Sequence, residues 1–429
     1  MIRTSRFTGP IDPLRHPGVK TVLFLLAAGF FVYASVRVVR HQIMQPADGD
    51  WGVYYRAGLA MRHREPIYTL DQGPLLTFKN APVVALMLAP ISLLPVGLAR
   101  WLWLVGDLAS LAIIYRLAAR VVFGPEQSRR VGLVLIAGAI FLSAHYITDE
   151  LFSGPTAVLV VMLTVAGFVW AYEGKGIRAG AALGLGICLK LVPLAFVPWL
   201  LCCKSRSKSL SSLIVTLALL TILPAAWVGW GRNLQLLREW PAHIAHTQMP
   251  VQDYRTKNQG VNAALTRFLT ATPYDVDFVR MDPRSIQLID LTVVAIMGIA
   301  IYAAIGWSIS RGHRDPGAAL SLLLIYMTVC NPLAWRYNYI ALGIPYLYVL
   351  YCLRQGSVRP RLLIGLIAAS YLLHFAPEIM QMFSARLWGA GALTVAVVLC
   401  ANARGSGASL PTYEGSKNAV VDEPTMAKA

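Results

Sequence analysis

The sequence predicts an all-α polytopic membrane protein, and three observations carry that prediction. Apolar residues make up 56% of the 429 residues and charged residues only 14%, more apolar surface than a water-soluble fold can enclose. The apolar residues fall in runs of a length that suits spanning helices rather than barrel strands. Between the runs, Lys/Arg clusters alternate with loops that combine acids and aromatics. Together these give about 10–13 transmembrane or re-entrant helices. A net charge of +17 would point to nucleic acid in a soluble protein; here it reads as cytoplasmic loop decoration. The six cysteines are scattered through apolar runs and one basic loop, which does not suit a disulfide framework.

Arg3, Arg6, Arg15 and Lys20 precede the first apolar run, Val19–Val39, so the N-terminus is expected in the cytoplasm and the run is read as an uncleaved signal anchor. The loop 41–80 then falls outside. It opens with Asp48 and Asp50, after which Val53, Tyr54, Ala57, Ala60 and Met61 recur at helical spacing. This pattern predicts a helix along the membrane interface with Asp50 near its N-terminus, where the helix dipole favours a carboxylate. Ala81–Leu98 is short and interrupted by Pro82, Pro90 and Pro95. It is expected to dip in and return, or to pair with a second short helix. Trp101–Val121, Val131–Thr148 and Thr156–Tyr172 are spans, ending at the basic residues Lys175 and Arg178.

Ala179–Leu201 has basic residues at both ends and Lys190-Leu191-Val192-Pro193 in its middle. Equal charge on both flanks contradicts a single crossing, and Pro193 cannot continue a helix smoothly. The expectation is a re-entrant pair of half-helices turning at Lys190. Leu210–Trp227 exits to a long outer loop, 229–284, that holds Trp230, Trp240, Asp253, Asn258, Gln259 and Arg267. Leu288–Trp307, Ala318–Val329, Tyr339–Tyr351, Leu362–Phe375 and Leu387–Ala401 complete one transmembrane domain over residues 1–401. The remaining 402–429 is expected to be a disordered cytoplasmic tail.

Under this topology the outer loops carry the chemistry. An acid at a lipid–water boundary can act as general base on a hydroxyl while the rest of the chain holds a lipid substrate. A loop acid more often only keeps its loop in water, and position alone favours that plainer reading for Asp48 and Asp50. No Walker motif, Rossmann glycine pattern or histidine cluster with metal-ligand spacing is present.

The residues do carry a resemblance. Asp50-Trp51-Gly52-Val53-Tyr54-Tyr55-Arg56-Ala57-Gly58 with Ile67-Tyr68 resembles the first-loop signature of glycosyltransferase family 87, bacterial membrane mannosyltransferases of the GT-C type that use polyprenyl-phosphate-mannose. Pro90–Pro95 with Trp101-Leu102-Trp103, Gly180–Gly186 with Lys190-Leu191-Val192-Pro193-Leu194, Asn258-Gln259-Gly260 with Arg267, and Asn331-Pro332-Leu333-Ala334-Trp335 resemble further blocks in the same order. The resemblance runs from about Asp50 to Pro345.

It implies a GT-C fold and an inverting hexosyl transfer, α-1,2 in linkage, at the outer face of a bacterial cytoplasmic membrane, from polyprenyl-phosphate-mannose to a glycolipid or glycan hydroxyl. The family's catalytic Asp falls on Asp50. Lys190, Arg336, Tyr54 and Tyr55 are candidates for the donor phosphate and sugar, although the two tyrosines can equally anchor the interfacial helix. Asn258, Gln259 and Arg267 read first as groups that order their loop and, with Trp335, are the acceptor candidates. No metal or other cofactor is expected, since a monophosphate leaving group needs charge stabilisation that basic residues can supply. Two positions depart from the family pattern. Arg336-Tyr337-Asn338 stands where adjacent histidines are usual, and Gly154-Pro155 where Gly-Gln is usual. They leave the acceptor and the sugar open, so a GT-C transferase for another polyprenyl-phosphate sugar stays as an alternative. A lipid or polysaccharide flippase, the alternative of another class, would show inverted repeats or paired broken helices. Only one strongly broken segment is visible.

Overall fold

Helices follow the apolar runs closely. The computed structural model describes residues 29, 32, 33, 35–69, 76–123, 129–247, 254–310, 312 and 315–407, and every regular element among them is helical. Helix α1 covers residues 35–44 and leads into α2, Gly49–His63. The chain then runs through α3, Pro82–Leu88; α4, Val96–Val122; α5, Arg129–Ser153; α6, Ala157–Tyr172; and α7, Gly176–Leu189. A 3-10 turn over Val192–Phe196 precedes α8, Val197–Leu201, and α9, Arg206–Ile222. Next come α10, Ala225–Val228; α11, Trp230–Thr247; α12, Val261–Leu269; α13, Pro283–Ser310; and α14, Pro316–Val329. A 3-10 turn over Arg336–Leu342 opens the last part, α15, Gly343–Gln355; α16, Pro360–His374; α17, Glu378–Met382; and α18, Ala385–Gly407.

Five helices are long and apolar enough to cross a membrane: Val96–Val122, Val131–Ser153, Arg206–Val228, Pro283–Ser310 and Ala385–Gly405. Their packing fits a lipid solvent. The centre of the bundle is α15, where Tyr346, Leu347, Tyr348 and Val349 are fully buried. The outer helices turn apolar faces outward: Leu102 and Val105 on α4, Ile214 and Leu219 on α9, and Leu291 and Ile299 on α13 are each more than half exposed. In water such a surface would drive association, whereas in hydrocarbon it is at no disadvantage. The chain is a multi-pass membrane protein.

The polar ends are separated. Asp50, Asn258 and Arg336 lie at one end of the bundle. At the other, Arg120 on α4 pairs with Glu173 at 3.3 Å and Arg404 on α18 pairs with Asp315 at 3.1 Å.

A glycine stripe explains the reversal at Lys190. Gly176, Gly180 and Gly184 recur every fourth residue on α7 and let α9 approach closely. A Cβ on Gly180 would stand 2.1 Å from the Ser209 carbonyl oxygen, and one on Gly184 2.9 Å from the Thr216 side chain. Gly176 meets the start of α9 and Gly184 its middle, so α7 and α9 run in the same direction. The chain between them must therefore return. It does so at Lys190, whose extended backbone ends α7, and through Pro193 in the following 3-10 turn. Gly180→Ala is expected to cost about 1–3 kcal/mol through overpacking, read as a lowered thermal midpoint. Gly231→Ala, with nothing within 4 Å of the new Cβ, is not expected to lower it.

Some boundaries differ from expectation. Ala81–Leu98 keeps to its expectation of pairing with a second short helix, α3 and the 3-10 turn Ile91–Leu93 packing on α2 where Gly58 meets the Leu88 carbonyl, but its last residues already belong to α4. The long loop 229–284 contains two helices, α11 and α12, rather than irregular chain. The last helix continues through Gly407, beyond Ala401. Most of Val19–Val39, Asp253 and residues 408–429 lie outside the described residues.

Candidate functional site

The residues of α2 that recur at helical spacing do form one packed face. Trp51, Val53, Ala57 and Met61 are buried, and Asp48 stands at the N-cap with its carboxylate accepting from the Gly49 N–H at 2.7 Å. This turn fixes Asp50 in the first turn of α2, half-buried and facing inward. Trp51 behind it packs against Trp103 of α4, with ring centroids 5.1 Å apart. Arg100, one turn before Trp103, is buried over the Trp51 ring and donates to the Phe152 carbonyl at 2.8 Å and to the Gln42 side chain. Gly154 makes room for that guanidinium. Its φ is +64°, and a Cβ there would overlap the Arg100 terminal nitrogen.

Three distant segments meet at Asp50. The 3-10 turn Arg336–Leu342 brings Tyr337, whose hydroxyl faces the Asp50 carboxylate and favours its ionised form. The end of α7 brings Lys190, whose ammonium donates to Asn338 Oδ1 at 2.7 Å and lies 5.8 Å from the Tyr337 ring centroid. The loop before α3 brings Lys79, and α2 itself brings Tyr54, whose hydroxyl shares a hydrogen bond with Thr156 Oγ1 at 3.3 Å. Burial pushes the Asp50 carboxyl above the ordinary carboxylate range. The Tyr337 hydroxyl and then the positive charges of Lys190, Lys79 and Arg100 pull it back. Burial and the Asp50 charge together push the Tyr337 hydroxyl well above its ordinary value, so it stays a donor. A carboxylate with a raised proton affinity, faced by one hydroxyl and flanked by ammonium groups, can take a proton from a hydroxyl and stand beside an anionic leaving group. A narrow cavity beside Lys190 is lined by Val160, Val161, Val192, Met327, Asn331 and Asn338.

Not every expected residue comes to this place. Tyr54 faces Asp50, but the Tyr55 hydroxyl donates to the Leu94 carbonyl at 2.9 Å and ties α2 to the segment before α4. Arg336 turns to Asp149, with Nε 2.6 Å from Oδ2 and Nη2 2.9 Å from Oδ1. Trp335 lies beside Tyr337 with ring centroids 6.0 Å apart, and the Arg255 guanidinium carbon is 5.7 Å from the Trp335 ring centroid. Asn258, Gln259 and Arg267 are fully buried. Asn258 bridges the Pro332 carbonyl and the Ala334 N–H, and Gln259 donates to the Thr256 and Gln381 carbonyls. Arg267 donates to the carbonyls of Tyr254, Arg255 and Asn258 and to Ser384 Oγ. These three hold the segments at the Asp50 end together, and an acceptor would reach them only if that packing opened. Lys at position 267 keeps the charge but cannot span four acceptors. Arg267→Lys is expected to lower stability by about 1–3 kcal/mol, read as a lower thermal midpoint with an unchanged acceptor KM in the folded fraction.

Two residues at the site are new relative to the expectation, Tyr337 and Asn338. Their signal in the sequence was the departure from the family's histidine pair. His374 on α16 and Asp107 on α4 are buried polar groups. His374 lies between the Tyr346 hydroxyl at 3.1 Å and the Arg386 carbonyl at 3.2 Å. Among the described residues no group of three or more His, Cys, Asp or Glu side chains is arranged to hold a metal ion.

Comparison with known proteins bears on this site. The family model described as glycosyltransferase family 87 matches residues 78–332, which begins after Asp50 and ends before Tyr337. Over 272 residues the chain is 22% identical to a protein of Mycolicibacterium smegmatis named polyprenol-phosphate-mannose-dependent alpha-(1-2)-phosphatidylinositol pentamannoside mannosyltransferase. The match covers 63% of this chain and 60% of that protein, so the chain spans less than two thirds of its relative's length. No solved structure matches.

Proposed function

Because the chain belongs to glycosyltransferase family 87, we propose that it is a membrane mannosyltransferase that moves mannose from a polyprenyl-phosphate carrier to a hydroxyl of a glycolipid or glycan, with Asp50 as general base. The name of the relative, a polyprenol-phosphate-mannose-dependent enzyme acting on a phosphatidylinositol pentamannoside, supports the donor and the kind of acceptor. The observation that carries the chemistry is the meeting of Asp50, Tyr337 and Lys190, brought together from three separate segments.

In the proposed step the acceptor oxygen attacks the anomeric carbon as the bond to the phosphate oxygen breaks. The hydroxyl proton passes to Asp50, and the polyprenyl phosphate leaves with the electron pair, so configuration inverts. Tyr337 holds the Asp50 carboxylate in place. Lys190 neutralises the negative charge that grows on the leaving phosphate. Tyr54 lines the sugar's position, and Trp335 offers a face for the acceptor. The α-1,2 linkage, the absence of a metal requirement and the lie of α2 along the membrane interface belong to the same reading. The test is transfer of radiolabelled mannose from polyprenyl-phosphate-mannose into lipid in membranes that contain the full chain. No transfer from that donor, with transfer from another polyprenyl-phosphate sugar, would reassign the sugar.

We further propose that the Asp50 end faces outward from a bacterial cytoplasmic membrane. The other end carries Lys175, Arg178, Lys204, Arg206, Lys208 and Arg354 with few acids, as cytoplasmic loops do. In a background without the native cysteines, Lys257→Cys is expected to react with an impermeant thiol reagent in intact cells and Lys204→Cys to be protected. The reverse pattern overturns the orientation.

A further inference from the structure

We propose that Arg37, Arg336 and Arg386 form a second anion site, distinct from Lys190, which holds the phosphodiester of a lipid-anchored acceptor. The proposal rests on the transferase reading and adds the acceptor's chemical class to it. It assigns Arg336 to the acceptor, whereas the sequence grouped it with the donor.

Three guanidinium groups and His145 gather around one carboxylate, Asp149, at the end of α5. Arg336 pairs with Asp149 through two nitrogens and is still partly exposed. His145 Nε2 lies 3.9 Å from Asp149 Oδ2. Arg37 on α1 is exposed, with its guanidinium carbon 5.2 Å from the Phe152 ring centroid, and that ring stacks on His41 at 3.8 Å. The charges of all three arginines act on Asp149. One carboxylate cannot compensate three cations.

Arg386 is the sharper observation. It is buried, in the first turn of α18. Its Nε donates to the His374 carbonyl at 3.4 Å, and its two terminal nitrogens have no acceptor among the described residues. It forms no ion pair among them either; Asp149 attracts it without pairing with it, and Arg336 repels it. A buried guanidinium without a directly paired carboxylate is unfavourable, and a cation in the first turn of a helix also opposes the dipole. Both penalties fall if an anion enters. The planar fork of arginine suits the paired oxygens of a phosphodiester.

The chain also separates this cluster from the donor side. Tyr337, on Asp50, is preceded by Arg336 on Asp149 and followed by Asn338 on Lys190. In a 3-10 turn successive side chains leave about 120° apart. The base thus stands between two separate cationic centres. One centre suffices for a single phosphate leaving group, and the second fits an acceptor that carries its own phosphate.

The test uses the purified full chain in neutral detergent, with three probes: short-chain phosphatidylglycerol, its neutral diacylglycerol counterpart and polyprenyl phosphate. Wild type is expected to bind phosphatidylglycerol about tenfold or more tightly than the neutral lipid. Arg386→Gln and Arg37→Gln are expected each to lose most of that preference and to bind polyprenyl phosphate normally, while Lys190→Met does the reverse. Arg37 is exposed, so its variant carries the test if Arg386→Gln fails to fold. The proposal is overturned if the arginine variants lose polyprenyl phosphate instead, if wild type shows no preference for phosphatidylglycerol, or if only inorganic phosphate competes at the site. None of these readings requires transfer, so failure here leaves the transferase reading to its own assay.

Discussion

Enzyme carrying Asp50→Asn is expected to turn over about 10²–10⁴-fold more slowly than wild type while binding the donor almost as tightly. Asn keeps the size of the side chain and can still accept from Tyr337, so the geometry survives while proton acceptance is lost. Stability separates this outcome from misfolding. Burial raises the Asp50 proton affinity above its ordinary value. A carboxyl shifted in that direction contributes stability only below its unfolded pKa, and loses it as pH rises through the folded pKa. The ionised form of Asp50 is therefore a strained charge, and Asp50→Asn is expected to melt at or above the wild-type temperature. The same shift moves the acidic limb of the pH–rate profile above the range of an ordinary Asp, about 3.9. Asp48→Asn is expected to stay close to wild type, since Asn caps a helix as well as Asp does. A near-normal rate for Asp50→Asn would remove it as the base. Asp149 is already committed to Arg336 and Glu150 is fully buried, so the search would then begin with uncovering one of them.

What could be read from the sequence was what local pattern determines. The helix that starts at Asp50 follows from the spacing of Val53, Ala57 and Met61, and the reversal at Lys190 follows from Pro193 and the matching charge on both flanks. The two helices in 229–284 did not show themselves. Pro241 interrupts α11, and its Asn, Gln, Arg and Glu residues hide the apolar positions Leu236 and Trp240. Asn258, Gln259 and Arg267 read from the sequence first as groups that order their loop and only second as acceptor contacts. Here they face carbonyl oxygens of their own loop and its neighbours. Tyr337 and Asn338 depend on tertiary structure alone. They meet Asp50 and Lys190 only because the 3-10 turn before α15 lies against the ends of α2 and α7, and no short-range pattern encodes that meeting.

Lys190→Met is expected to raise the donor KM about 10–100-fold, the loss of one charge-assisted contact of about 1.5–3 kcal/mol. Met matches the length of Lys and suits the apolar wall formed by Val160, Val161, Val192 and Met327, so the fold should hold. If Lys190 touches the phosphate, its effect grows as negative charge builds on the leaving oxygen. The rate constant kcat should then fall along with donor affinity, because the contact is stronger in the transition state than in the bound donor. The acceptor KM should not move. A second signature comes from Asp50, whose proton affinity the Lys190 charge holds down. Without the ammonium that affinity rises, so the acidic limb of the pH–rate profile shifts to higher pH, and activity at mildly acidic pH falls more than at neutral pH. Lys190→Arg keeps the charge and should restore the limb even if its bulk spoils donor binding. A donor KM and an acidic limb both equal to wild type would make Lys190 a packing cation held by Asn338, and the charge that meets the phosphate would then have to come from Lys79.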